Sequence, residues 1–258
     1  MSSHPTNPIQ TPPDSAAPNS IFPGEVFAKT AEFDLYIRQL LPRYDEMLEA
    51  IARCIPSQAK RILDLGCGTG ELSIKVLQRC PDVQVVGVDY SSRMIEFATT
   101  KLETAGYRQQ WTGIEGDFGD WANHQLSVGQ GFDACISSLA IHHLTDETKV
   151  KLFIQIWENL NPGGMFWNAD PVVPESPILS EMYKRIREEW CVQQGTTLAE
   201  VRTKTGKSIS YGYSQPDQLA TLAAHLEMLK AAGFESVAVP WKYYGLAVFG
   251  GEKAKGRG

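Results

Sequence analysis

The chain has 258 residues, 43% of them hydrophobic, and a formal net charge of −6. That is enough apolar material for one large α/β domain, or a core with a cap, and the acidic balance argues against nucleic acid as the main partner, which calls for a basic face. The scattered cysteines Cys54, Cys67, Cys80, Cys135 and Cys191 contain no C-x-x-C pair, which argues against a disulfide framework or thiolate zinc site. No apolar run approaches membrane-spanning length and no basic-then-apolar leader opens the sequence, so a cytoplasmic protein without a membrane partner is expected.

Residues 1–23 are rich in Pro, Ser, Thr and Asn and nearly free of charge. Such a segment buries too little apolar surface to offset its ordering entropy, and a tail is expected there. Phe33, Tyr36, Ile37 and Leu40 then fall at helical spacing, Pro42 interrupts, and a second helix is predicted from Arg43 to Cys54 with Met47, Leu48 and Ile51 on one face. Packing is the ordinary role of such an aromatic helix pair; Tyr36 and Tyr44 are the residues placed to close over a ligand.

The run Arg61-Ile-Leu-Asp-Leu65 leads directly into Gly66, Gly68 and Gly70, and a helical pattern starts at Glu71. Strand, tight turn and helix in that order form the unit that binds nucleotide-like ligands at the carboxyl end of a parallel strand. A dinucleotide fingerprint requires G-x-G-x-x-G/A, which Glu71 and Leu72 break, and no Gly-Lys-Ser/Thr follows for a phosphate loop. Asp64 at the strand tip would repel a pyrophosphate. A carboxylate ahead of three glycines suits a cationic ligand without phosphate, approached closely by the backbone of Gly66, Cys67 and Gly68.

A second buried strand, Val83 to Asp89, ends in a carboxylate where an acid accepts hydrogen bonds from both ribose hydroxyls. Tyr90 beside it is placed to stack on a base, Ser91 or Ser92 to cap the next helix, and Met94 opens that helix's packing face. Trp111 to Gly116 is a third strand; Asp117 and Phe118 follow it, as an acceptor for an adenine amino group and a ring to pack on it, or as a plain turn and core pair. Phe132 to Ser138 is the fourth strand. Its tip lies beside strand one at the switch point of a doubly wound sheet, so Ser138 to His143 line the same crevice as Gly66. His142 and His143 are candidate catalytic bases, imidazole being the side chain that titrates near neutrality. The alternative is that one bonds the backbone and the other packs. With no third ligand at metal spacing, no metal is expected.

A helix from Glu147 to Leu160, a turn at Asn161-Pro-Gly-Gly164 and a fifth strand from Met165 to Ala169 continue the alternation. Residues 171–215 break it: a helix opening at Ser176-Pro177 and a polar stretch with Arg202, Lys204 and Lys207 read as an insertion over the carboxyl edge of the sheet, a lid that shapes a substrate pocket. Ser214-x-x-Asp217 reads as a capping box for a helix through Leu219, Leu222, Leu226 and Leu229. Two strands, Ser236 to Trp241 and Tyr244 to Phe249, close the domain at residues 24–251, leaving 252–258 as a polar tail.

The segment Asp64-Leu-Gly-Cys-Gly-Thr-Gly70 resembles motif I of the class I S-adenosylmethionine-dependent methyltransferases. With Asp89, Asp117-Phe118, Ser-Ser-Leu-Ala-Ile-His-His-Leu, Asn-Pro-Gly-Gly and the final hairpin, the resemblance covers residues 44–251. It implies a Rossmann-like α/β fold, a doubly wound, seven-stranded, mostly parallel sheet whose last strand is antiparallel, with S-adenosyl-L-methionine as cofactor. Within that class, Phe33 to Tyr44 resembles a segment of the carboxy-S-adenosylmethionine synthases and their tRNA wobble-uridine methyltransferase-like relatives. That likeness assigns Tyr44 to the cofactor and puts Ser138, where those enzymes have Asn, near its methionine part. Those enzymes hold an extra carboxylate with a lid Arg; Arg202 comes too early here and Lys207 would be a changed residue, so ordinary methyl donation leads.

The expected function is therefore transfer of a methyl group to an O, N or C atom of a small-molecule acceptor. Such a displacement needs binding, orientation and desolvation, and a base only where the acceptor loses a proton. The alternatives are an enzyme that modifies the cofactor itself and a non-catalytic protein that binds it. The sequence does not set the oligomeric state.

Overall fold

A computed structural model describes residues 30–205, 213 and 216–255. The tail expected at residues 1–23, Lys207 and Ser214 lie outside the described residues. The apolar runs assemble into one seven-stranded sheet in the order β3-β2-β1-β4-β5-β7-β6. The strands are β1 (Arg61–Leu65), β2 (Gln84–Asp89), β3 (Trp111–Glu115), β4 (Phe132–Ser138), β5 (Leu160–Pro171), β6 (Glu235–Tyr243) and β7 (Leu246–Glu252). Strands β1 to β5 pair in parallel, and β7 runs antiparallel to both β5 and β6. The chain order reverses between β1 and β4, so the crevice of a doubly wound sheet opens at their carboxyl ends.

Strand alternation divides the core into two layers. Ile62, Val85, Ala134, Ile136, Ala169 and Val248 face one side. There they meet α1 (Phe33–Leu40), α2 (Tyr44–Arg53), α3 (Glu71–Arg79) and α4 (Ser92–Thr104), which supply Met47, Leu48, Ile51, Val76, Leu77 and Leu102. Leu63, Leu65, Val86, Val88, Cys135, Phe166 and Phe249 face the other side. They pack on α5 (Phe118–Ala122) and α6 (Asp146–Asn159), with Trp121, Leu152, Phe153 and Ile156. Each fully buried Leu, Ile or Phe contributes about 1.5–3 kcal/mol before entropy is counted.

The insertion forms α7 (Pro177–Gln193) and α8 (Leu198–Thr205). It docks on α1: the Trp190 indole donates to the Arg38 carbonyl at 3.0 Å, the Cys191 thiol to the Gln39 carbonyl at 3.4 Å, and the Lys204 ammonium lies 5.4 Å from the Tyr36 ring centre.

Two boundaries differ from those read in the sequence. Asn161-Pro-Gly-Gly164 is part of β5 instead of a turn before it. The Asn161 amide donates to Asp133 at 2.8 Å while the Asp133 carboxylate also accepts from the Lys60 and Arg61 amides. Backbone bonds then join Gly163 and Gly164 to Lys253 at 2.7 and 2.8 Å. The final helix, α9 (Leu222–Ala231), starts later than Asp217: Thr221 is its cap, with Oγ1 accepting from the Ala224 amide at 3.1 Å. Among the described residues no helix is long and apolar enough to cross a membrane.

Candidate active site

The cleft forms where β1, β2 and β4 end. Gly66 takes φ +67°, and a Cβ there would stand 2.2 Å from the Ala140 Cβ, so only glycine lets the loop after β1 pass the tip of β4 this closely. The Gly66 and Cys67 amides donate to the Val88 carbonyl at 2.8 and 3.1 Å, which ties the loop to β2. Across the cleft Leu139 sits at φ +57°, a left-handed conformation that is strained for a leucine, held by its amide bonding the Ala169 carbonyl at 2.8 Å.

Two carboxylates mark the strand tips. Asp64 is buried; Ser73 donates to its Oδ2 at 2.6 Å, and Oδ1 has no hydrogen-bond partner among the described residues. Burial pushes its carboxyl up to about 7, against the Ser73 bond and with help from the charge of Asp89. Asp89 accepts from the Gly68 amide at 2.9 Å and the Ser91 amide at 3.0 Å; burial outweighs those bonds and raises it to about 6. Tyr44 forms the buried wall with the Arg38 guanidinium 5.3 Å from its ring centre. Burial, followed by the charges of Glu71 and Asp34, raises its hydroxyl.

Of the residues singled out in the sequence, Tyr44, Asp64, Gly66, Cys67, Gly68, Asp89, Tyr90, Met94, Phe118, Ser138 and His143 line this cleft. Asp117 and His142 do not. Asp117 caps α5, accepting from the Gly119 amide at 2.7 Å and, across the insertion, from the Tyr213 amide at 3.0 Å. His142 turns away because Asp170 holds its Nδ1 at 2.8 Å. Burial alone would raise the Asp170 carboxyl, but the His142 ring and the Asn168 amide outweigh it and hold it below the usual range.

Sequence reasoning passed over four residues at or beside the site. Phe33 and Leu72 line the cleft, although both read as ordinary packing positions. Asp170 ends strand five as Asp64 and Asp89 end theirs, and that position was the available signal. The fourth is Asp217, whose Oδ1 stands 3.9 Å from His142 Nε2 and 3.8 Å from His143 Nδ1. Its place in a capping-box pattern, 74 residues after His143, hides it as a third potential ligand beside the histidines.

Residues 62–164 match the family described as Methyltransferase domain. The chain is 28% identical over 223 residues to a carboxy-S-adenosyl-L-methionine synthase of Campylobacter hominis, covering 84% of this chain and 88% of that one. It is 26% identical over 218 residues to a demethylmenaquinone methyltransferase of Deinococcus radiodurans, covering 82% and 84%. Its fold is similar to an O-methyltransferase family protein from Burkholderia thailandensis, with TM-score 0.63, 13% identity, and 88% of this chain and 60% of that one covered. It is likewise similar to human N-acetylserotonin methyltransferase, solved in complex with SAM, with TM-score 0.52, 16% identity, and 87% and 53% covered. The chain thus spans a little over half the length of these two solved proteins.

A doubly wound sheet with an antiparallel last pair, and a glycine cleft closed by acids at the tips of β1 and β2, define a nucleoside-binding α/β protein. The domain match makes the class specific: residues 62–164 carry a methyltransferase domain, and the proteins similar to this chain are S-adenosylmethionine-dependent methyltransferases or S-adenosylmethionine-modifying enzymes, so the chain is an enzyme whose cofactor is S-adenosyl-L-methionine.

Proposed function

We propose that the cleft holds S-adenosyl-L-methionine against β1 and β4 and presents its methyl group to an O, N or C atom of a small-molecule acceptor. The observation that carries this reading is the buried Oδ1 of Asp64, unpartnered among the described residues, beside Gly66, whose Cβ position is filled by Ala140, and Gly68, whose Cβ position is open space. A cationic ligand with a bare backbone approach answers both features. Asp89 would take the ribose hydroxyls, Tyr90, Met94 and Phe118 the adenine, and Tyr44, Gly66, Cys67, Gly68 and Ser138 the methionine part. Asp117 would contribute through the Phe118 turn that it caps.

The cofactor carries its own activation, so the protein needs to bind, orient and exclude water. His143 faces the cleft. His142, its Nδ1 held by an ionised Asp170, keeps Nε2 as an acceptor. His143 stands where an acceptor's proton would leave, with the His142 ring against it and turned from the cleft, and α7 and α8 would close the acceptor side as a lid.

Titration calorimetry with S-adenosylhomocysteine tests the cofactor assignment: wild type should bind, and Asp89→Ala should bind at least about tenfold more weakly, one charge-assisted hydrogen bond being lost. No heat in wild type, or equal affinity in the variant, overturns it. A second reading, an enzyme that adds a carboxyl group to the cofactor, is favoured by the names of full-length relatives 26–28% identical to this chain. Mass spectrometry of the copurified ligand separates the two by the mass of that carboxyl group.

A further inference from the structure

Three potential ligand atoms converge beside the cleft: one ring nitrogen each of His142 and His143 and a carboxylate oxygen of Asp217, all within 4.8 Å of one another. Asp217 Oδ1 is nearly equidistant from the two imidazoles, at 3.9 and 3.8 Å. Around a tetrahedral ion with metal–nitrogen bonds of about 2.0–2.1 Å, neighbouring ligand atoms lie about 3.3 Å apart. Closing the two Asp217 distances takes about half an ångström, within reach of that exposed side chain, and the two ring nitrogens, within 4.8 Å of each other, must draw together as well.

Two features show that this grouping is built into the fold. The first is the Asp170 bond to His142 Nδ1. An ionised carboxylate only accepts, so the ring proton sits on Nδ1 and the Nε2 lone pair is presented toward Asp217; a carboxylate behind a histidine is the outer support of metal-bound imidazoles. The second is the clamp on the segment carrying Asp217. The Gln218 amide donates to the His142 carbonyl at 2.7 Å, and its carbonyl accepts from Lys149. Lys149 is itself fully buried and paired with Asp146 at 2.8 Å. Thr221 caps the following helix, leaving Asp217 to the histidines.

We propose that His142, His143 and Asp217 bind one divalent transition-metal ion of the zinc class, with Asp170 as the positioning residue behind His142. Two imidazoles and one carboxylate select such an ion over magnesium or calcium, which prefer oxygen shells. Three protein ligands leave a coordination position for water or an acceptor heteroatom, and His143 lines the cleft. This goes beyond the cofactor assignment and does not depend on it. With the ion in place the His142 lone pair is committed to it, and the acidity of an acceptor proton is set by the ion's charge instead of by a free imidazole.

The test titrates chelator-treated full-length protein with Co²⁺ and follows the visible spectrum. One equivalent should bind with ligand-field bands and no thiolate charge-transfer absorption, which separates this site from the free cysteines. Asp217→Asn, at an exposed position whose thermal midpoint should not move, should lose that equivalent. Asp170→Asn should weaken it by roughly 10–100-fold. Substoichiometric binding, a thiolate spectrum, or unchanged binding in Asp217→Asn overturns the proposal. S-adenosylhomocysteine binding, measured on the same samples, keeps the readings apart: binding without the metal equivalent defeats this inference alone, and the metal equivalent without binding defeats the cofactor assignment alone.

Discussion

Asp64 and Asp89 are both pushed upward by burial, to about 7 and about 6, yet each serves a cationic ligand or a ribose only when ionised. Ligand binding must therefore release protons. Affinity for S-adenosylmethionine should rise as pH rises through about 6 to about 7 and level off above. Calorimetry in buffers of different ionisation enthalpy reads both the affinity and the protons released; a flat profile would sink the argument. The sign for unliganded stability is the reverse: the folded state holds these protons longer than the unfolded one, so the contribution is complete below 3.8 and is lost as pH rises from there to about 6 for Asp89 and about 7 for Asp64. Both residues are legible in the sequence, Asp64 because a strand, an acid and glycines are contiguous and Asp89 because an acid ends the second apolar strand. Asp117 lies outside the cleft lining, and the sequence does not show this because one partner, the Tyr213 amide, comes from 96 residues away; Asp170 escapes notice because its ring partner lies 28 residues back. Local pattern shows which groups end a strand, not which groups meet there.

At the scale of elements, the helices and strands followed from apolar periodicity, and errors fell where a local turn or cap signal lost to tertiary bonds. Pro-Gly-Gly reads as a turn, but Asn161 and Lys253 give its backbone partners within the sheet. Ser214-x-x-Asp217 reads as a cap, but α9 takes Thr221. Thr221→Ala should lower stability by about 1 kcal/mol, the usual worth of such a cap, while Asp217→Asn leaves it unchanged. Urea unfolding of the two variants decides; equal losses would return Asp217 to the helix. The loop after β1 makes a sharper demand. In Gly66→Ala the new Cβ meets both a left-handed φ of +67° and the Ala140 Cβ at 2.2 Å. A loss of more than about 1 kcal/mol is expected, together with loss of S-adenosylhomocysteine binding. A variant as stable as wild type would show that β4 does not approach as described.

For the molecule as a whole, acid stability turns on His225, buried where α9 packs on β7. Its ring stacks on Phe249 with centroids 4.6 Å apart, and neither ring nitrogen has a hydrogen-bond partner among the described residues. Burial lowers it from 6.5 to about 4, Asp170 opposing and Lys149 assisting. The unfolded chain takes up this proton before the folded one does, so stability should fall as pH drops from 6.5 to about 4 and be unaffected by this group above that window. The full effect is about 3 kcal/mol. Asp170, held below the ordinary carboxylate range by His142 after burial is overcome, acts in the same direction at lower pH: its contribution is complete above the usual carboxylate pKa and is lost as pH falls through its depressed value. The two acid limbs are therefore separable. His225→Leu keeps the contact with Phe249 and removes the titrating ring, so its stability relative to wild type should rise as pH falls through the upper window and hold constant through the lower one, the raised Asp64 and Asp89 acting alike in both proteins. Parallel profiles for variant and wild type would mean that the protonated ring finds a partner in the folded state, and that the seam between the parallel and antiparallel halves of the sheet is not dry.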